Sequence, residues 1–201
     1  HANKETSTGN IFRGCRAWNN GDDGFDLINC YASYIIEYCW SFRNGYKPHS
    51  IESSGGNGAG FKSGGYGMGD IKKVPNPIPQ HTVRYCLAYY NRQQGFYSNH
   101  HLGGLIFENN TAYKNPSNYN MLNRKSSNEA VDVPGYGHII KNNLSLSPRN
   151  SGGFPQHLIN VDNTLSEIKN NSFAPNDLNL SESDFESLNE QELMGSRKIL
   201  I

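Results

Sequence analysis

The chain has 201 residues, 35% of them hydrophobic, with 21 glycines and 9 prolines. That length allows one domain with a sizeable core, and the spaced aromatic and apolar positions exclude a disordered chain. Lys plus Arg and Asp plus Glu both number 18, so net charge gives no argument for a nucleic acid or an anionic membrane, and no apolar run approaches the ~18 residues of a membrane span.

Starting at His1, with neither a methionine nor a signal segment, the sequence reads as a processed product or a fragment. Self-similarity then organises it. Gly14-Cys15-Arg16-Ala17-Trp18-Asn19-Asn20 is echoed by Tyr38-Cys39-Trp40-Ser41-Phe42-Arg43-Asn44, by Tyr85-Cys86-Leu87-Ala88-Tyr89-Tyr90-Asn91 and by Asn109-Asn110-Thr111-Ala112-Tyr113-Lys114-Asn115. Weaker copies follow at Asn142-Asn143-Leu144-Ser145-Leu146 and Asn170-Asn171-Ser172-Phe173. Cys15, Cys39, Cys86, Asn110, Asn143 and Asn171 hold one place, at spacings of 24, 47, 24, 33 and 28 residues. A period near 24 with insertions is the signature of a solenoid with loops on one side.

The columns make physical sense. Ala17, Ser41, Ala88, Ala112 and Ser145 are all small; Trp18, Phe42, Tyr89, Tyr113 and Leu146 are all large. Rungs about 4.8 Å apart would stack these residues and join Asn20, Asn44, Asn91 and Asn115 in an amide ladder. Asparagine also tolerates the left-handed backbone of a sharp corner, which is expected at those positions. Short β-prone runs precede each anchor, at Ile11-Phe12, Tyr34–Ile36, Thr82-Val83, Leu105–Phe107 and Ile139-Ile140, and further strands are expected near Phe25, Phe61, Phe96 and Tyr119. The expected fold is all-β: a right-handed parallel β-helix, occupying 1–175, with a capping tail over 176–201. Stacked Cys15 and Cys39 are expected to be free, small buried groups rather than a disulfide.

Insertions interrupt the period at Tyr46–Ala59, Tyr66–Gln80 and Asn123–Gly137, and Pro75, Pro77 and Pro79 deny the second any regular structure. From about Pro175 the repeat stops, and Ser181–Leu188 has the capping residues and acidic bias of a short helix that would cover the last rung.

The chemistry concentrates in Asn19–Lys62. Asp22, Asp23 and Asp26 fall within five residues, among glycines that force tight turns, and calcium takes several oxygen ligands in irregular geometry. Gly24-Phe25-Asp26 is repeated as Gly60-Phe61-Lys62, so a carboxylate and an amine would share one column. A stray salt bridge is the bland account of that pair. Tyr97, His100, His101, Arg92 and Arg124 would lie along the same face; His100-His101 lacks a third metal ligand at sensible spacing and fits hydrogen bonding better.

Asn19–Leu27, Gly58–Gly65, Asn109–Tyr113 and the run to Asp184-Phe185 together resemble polysaccharide lyase family 9 over nearly the whole chain. The resemblance implies a right-handed β-helix that cleaves an acidic pectic polymer with calcium and a lysine base, as a monomer acting outside the cell (secreted, periplasmic or at the surface). By position Asp22, Asp23 and Asp26 match the calcium aspartates and Lys62 the catalytic lysine. The family's fourth calcium aspartate would fall before His1, so the site is expected to be one ligand short. Tyr46, Lys47, Tyr66, Arg92, Tyr97, His100, His101 and Arg124 are the candidate substrate contacts. Aromatic and imidazole groups suit alternating neutral sugars better than a run of carboxylates, which favours rhamnogalacturonan I over homogalacturonan (pectate). A non-catalytic carbohydrate-binding β-helix with structural calcium is the competing class; it leaves Lys62 without a task.

Overall fold

The computed structural model describes residues 7–67, 74–149, 156–173, 178 and 180–185. Its strands are short because each side of a rung holds only two to four residues before the backbone must turn. β1 (Asn10–Arg13), β2 (Arg16–Trp18) and β3 (Phe25–Asp26) form the first rung, and β4 (Tyr34–Glu37), β5 (Trp40–Phe42) and β6 (Phe61–Lys62) the second. β7 (Thr82–Arg84), β8 (Leu87–Tyr89) and β9 (Phe96–Tyr97) make the third, and β10 (Ile106–Glu108), β11 (Thr111–Tyr113) and β12 (Tyr119–Asn120) the fourth. After β13 (Leu122–Ser126) and β14 (Glu129–Pro134), which pair antiparallel, come β15 (Ile139–Lys141), β16 (Leu144–Leu146), β17 (Leu158–Ile159) and β18 (Glu167–Lys169). The parallel sheets run β1-β4-β7-β10-β15-β18, β2-β5-β8-β11-β16 and β3-β6-β9-β12-β17. Every third strand pairing with its counterpart one turn later is a parallel β-helix.

The registers follow the sequence columns. Ala17, Ser41, Ala88, Ala112 and Ser145 align, as do Trp18, Phe42, Tyr89, Tyr113 and Leu146. Phe25, Phe61, Phe96 and Tyr119 stack inside the third sheet at 5.0, 5.0 and 4.9 Å, closing the core with Ile36, Val83, Phe107 and Ile140. The amide ladder is continuous: Nδ2 of Asn20, Asn44 and Asn91 donates to Oδ1 of Asn44, Asn91 and Asn115 at 2.9, 2.9 and 3.0 Å. A second ladder joins Asn110, Asn143 and Asn171, and the Cys39 and Cys86 sulfurs accept from the backbone in the same column. All four cysteines are free; Cys39 is buried as expected, but Cys15, on the first rung, is exposed.

Three expectations are corrected. The left-handed residue at the corner is not the ladder asparagine but its predecessor: Asn19, Arg43, Tyr90 and Lys114 have φ of 51, 52, 51 and 51°. That kink turns the next side chain inward, where its amide meets the neighbouring rungs. The Asn123–Gly137 insertion is no plain loop but largely the β13–β14 hairpin. In the tail, Glu182–Asp184 is a single 3-10 turn, and Leu180 and Phe185 pack against the cluster of Trp40, Phe42, Leu87, Tyr89, Tyr113 and Leu146 on the second sheet. Leu188, and Pro175 where the repeat was expected to stop, lie outside the described residues.

Candidate functional site

Alternation along β3 and β6 turns Phe25, partly buried, and Phe61, fully buried, toward the core and sets Asp26 and Lys62 on the other side, side by side in register. β9 and β12 continue the column with Tyr97 and Asn120. Lys62 is not freely exposed. Its side chain is 9% accessible, at the base of a polar cavity of about 320 Å³ lined by Asp23, Asn57, Gln93, Gln94, Tyr97, Asn99 and His100. The Nζ atom lies 3.1 Å from Asp23 Oδ2 and 3.2 Å from Asp26 Oδ2.

Each carboxylate is held by backbone. Asp22 Oδ1 accepts from the Asn57 N–H at 2.6 Å, Asp23 Oδ1 from Ala59 at 2.7 Å and Asp26 Oδ1 from Ile28 at 2.8 Å. Burial pushes the Asp23 carboxyl up, and the Ala59 N–H and Lys62 offset only part of that. For Lys62 burial acts downward, but Asp26 and then Asp23 outweigh it and hold the ammonium above the ordinary lysine value. The pair is lopsided because Lys62 faces two carboxylates, whereas the Asp23 side chain, 2% accessible, has one ammonium to repay its desolvation.

The donor chemistry fits a hard cation. Asp23 Oδ2 is buried with no hydrogen bond of good geometry, and three aspartates offer oxygen ligands within one turn. A ready cluster of three carboxylate, imidazole or thiolate groups is absent among the described residues, because Asp22 turns to Asn57 while the ammonium stands between Asp23 and Asp26.

Of the sequence-derived contacts, Tyr97 and His100 line the cavity. Tyr97 Oη bonds His100 Nε2 at 2.9 Å, and His100 Nδ1 bonds Asp132 Oδ1 on the hairpin at 2.5 Å. Burial pushes the Tyr97 phenol up to about 12, with smaller contributions from Asp132 and Asp23. Tyr66 and Arg124 line an adjoining cavity of about 240 Å³ that shares Asn99 and His100, with Ile28, Ala130 and Asp132. Both are buried; Tyr66 donates to the Cys30 carbonyl and Arg124 to that of Tyr66.

The other four do not join the cavity. His101 is fully buried: its Nδ1 accepts from Gly65 at 3.1 Å and its Nε2 meets the Pro79 carbonyl at 3.1 Å, so it joins the chain just past β6 to the segment ahead of β7. Arg92 donates to the Gly56 carbonyl at 2.5 Å and braces the loop that carries Asn57. Tyr46 is buried under the Arg149 guanidinium, which bonds its hydroxyl at 2.9 Å. Lys47 pairs with Glu52 on the surface at 2.9 Å. Asn57, Gln93, Gln94, Asn99 and Asp132 were not foreseen. Gln93 and Gln94, just past the ladder residue Asn91, are placed as Asp22 and Asp23 are past Asn20, and that offset could have found them.

Comparison with known proteins agrees with this architecture. The family model described as "Pel9A-like, right handed beta helix region" matches residues 1–143. A pectate lyase L of Dickeya chrysanthemi is 40% identical over 139 residues, which are 69% of this chain and 29% of the relative. A solved structure titled "Rhamnogalacturonan lyase" is 53% identical, with a TM-score of 0.83 over 94% of this chain and 44% of that one. "Crystal structure of pectate lyase Pel9A" is 35% identical, with a TM-score of 0.70 over 94% of this chain and 40% of that one. The chain thus spans less than half the length of each of these proteins. It belongs to the Pel9A-like right-handed parallel β-helix family, polysaccharide lyase family 9.

Proposed function

We propose that this chain carries the catalytic face of a calcium-dependent lyase that cleaves a pectic polymer, rhamnogalacturonan I, by β-elimination at galacturonate. The observation that carries it is Lys62: an enclosed lysine at the base of a polar cavity, flanked by two aspartates, in a family whose named relatives are pectic lyases. A carbohydrate-binding solenoid would gain nothing from burying that amine beside carboxylates it only partly neutralises.

In this reading Lys62 Nζ abstracts the C5 proton of the galacturonate unit. Asp23 and Asp26 fix its position, and they also hold a proton on it, so their charge must be engaged elsewhere before the amine can act. Asp22, Asp23 and Asp26 would hold calcium, which when bound supplies a Lewis acid for the substrate carboxylate. The cavity walls offer the amides of Asn57, Gln93, Gln94 and Asn99 to hydroxyl groups.

Two observations favour rhamnogalacturonan over homogalacturonan. Lys62 is the sole lysine or arginine among the described residues lining its cavity, whereas a groove for successive carboxylates needs a row of cations. The rhamnogalacturonan lyase is also more similar to this chain, 53% identical against 40% for the pectate lyase L. The site lies on a chain with no helix long and apolar enough to cross a membrane, and a secreted location suits a wall polymer as substrate.

The test is formation of unsaturated product from rhamnogalacturonan and from polygalacturonate, with and without a chelator, by wild type and Lys62→Ala. Expected is calcium-dependent product from rhamnogalacturonan, lost by at least about 1,000-fold in the variant while oligosaccharide binding persists. Unchanged turnover in Lys62→Ala would end the lyase reading; preference for polygalacturonate would reassign the substrate.

A further inference from the structure

A base alone does not complete an elimination, because the departing glycosidic oxygen leaves as an alkoxide and must gain a proton. The site holds a group for that task which the reading above does not use. Tyr97 is the register neighbour of Lys62, one strand along the third sheet, and both side chains line the same cavity. Their side chains are held by different partners. Lys62 Nζ is held toward the preceding rung by Asp23 and Asp26, whereas Tyr97 Oη is held by His100, itself tied to Asp132 on the β13–β14 hairpin. The cavity that both side chains line, about 320 Å³, is large enough for a sugar ring.

We infer that Tyr97 is the proton donor to the departing oxygen, held in place by His100 and Asp132. This rests on the lyase reading of the same site. In galacturonate the C5 hydrogen and the C4 oxygen are both axial and point to opposite faces. Base and acid must therefore reach different faces of the ring, which a ring seated between Lys62 and Tyr97 would present to them. The neutral Lys62 amine takes the C5 proton, and the C5–H electron pair becomes the second bond of C4=C5. The C4–O bond then breaks and its oxygen takes the phenolic proton. Solvent restores that proton through His100, and Lys62 returns its own to solvent, so protons balance over one turnover. With its phenol pushed up by burial to about 12, Tyr97 carries a proton at neutral pH and is matched to a sugar hydroxyl.

His100 and Asp132 are positioning residues: they touch Tyr97 and each other. Their arrangement costs backbone freedom, since Asn99 and His100 are successive left-handed residues at φ 55 and 57°. That double kink carries the His100 ring to both Tyr97 and the hairpin, and hydrogen bonds at both ring nitrogens fix it there.

The experiment uses the full-length, calcium-loaded protein with rhamnogalacturonan oligosaccharides. Tyr97→Phe should lower kcat by about 100-fold or more with KM, calorimetric binding and melting temperature unchanged. Added small buffer acids should accelerate the variant and leave wild type unaffected, a response that a merely structural tyrosine would not produce. His100→Asn, which keeps the left-handed backbone, should cost about tenfold in kcat. Should Tyr97→Phe turn over at the wild-type rate, or lose rate only through KM, the donor role is overturned while Lys62 keeps its own. No product from the wild-type protein on any pectic polymer would overturn both.

Discussion

Lys62 illustrates why one side chain can read as a stabilising salt bridge and as a functional group at once. A buried ammonium flanked by carboxylates recovers little net energy, because each charge pays desolvation before the attraction repays it. Asp23 shows the shortfall, being raised by burial despite the amine 3.1 Å away. The same ammonium competes with any metal cation for Asp23 and Asp26. Replacing it by a neutral side chain of similar length, Lys62→Met, should therefore strengthen calcium binding by roughly tenfold, about 1.4 kcal/mol. Calorimetric calcium titration of the two proteins reads this directly. Equal affinities would mean that the metal binds away from Asp23 and Asp26.

Between rungs, the asparagine ladder does what hydrophobic stacking cannot: it fixes register. Asn91 sits in mid-ladder and is fully buried; it accepts from both Asn44 N and Nδ2 and donates to Asn115 Oδ1 and the Ser41 carbonyl. Asn91→Ala strands several of these groups away from water, so a loss of about 3 kcal/mol or more is expected. Asn20, exposed at the ladder's end, should cost ~1 kcal/mol when changed to alanine. Urea unfolding of the two variants tests the gradient, and equal small losses would show that the ladder merely accompanies the fold. These ladders were legible in the sequence because a parallel solenoid places like residues over one another every rung; the Asp26–Lys62 register followed from the same rule. What failed to read had left the period. His101 faces inward while His100 lines the cavity, because consecutive side chains of an extended chain point to opposite sides and the pair cannot share one face. Asp132 reaches His100 from a hairpin 32 residues away, with no repeat to predict its place. Tyr46 and Arg92 looked like exposed loop polars but serve the loops themselves.

The molecule as a whole is open to acid through three histidines that the solenoid encloses. His81, His101 and His138 are 1%, 0% and 0% accessible. Each uses Nδ1 as an acceptor, from the backbone N–H of Tyr34, Gly65 and Leu105 at 3.2, 3.1 and 3.0 Å. A proton on that nitrogen would cost the hydrogen bond and place a charge in the core. Desolvation accordingly lowers His81 to about 3, His101 to about 4 and His138 to about 4, with His101 adding repulsion to the other two. His81 and His101 lie with ring centroids 5.5 Å apart, so the pair resists a second charge more than the first. In the unfolded chain each titrates near 6.5. Between that value and the folded ones the unfolded state binds more protons, so stability rises with pH there. It is fully present above about pH 6.5 and is lost as pH falls through the window toward 4, by a few kcal/mol per ring at most. The urea midpoint should be flat from pH 8 to about 7 and fall progressively to about pH 4.5. Calorimetric unfolding at about pH 5.5, in buffers of different ionisation heats, should register uptake of more than about one proton per molecule. Unfolding without proton uptake at that pH would mean that these rings are already charged in the folded protein, and that the strands they bridge are held by something else.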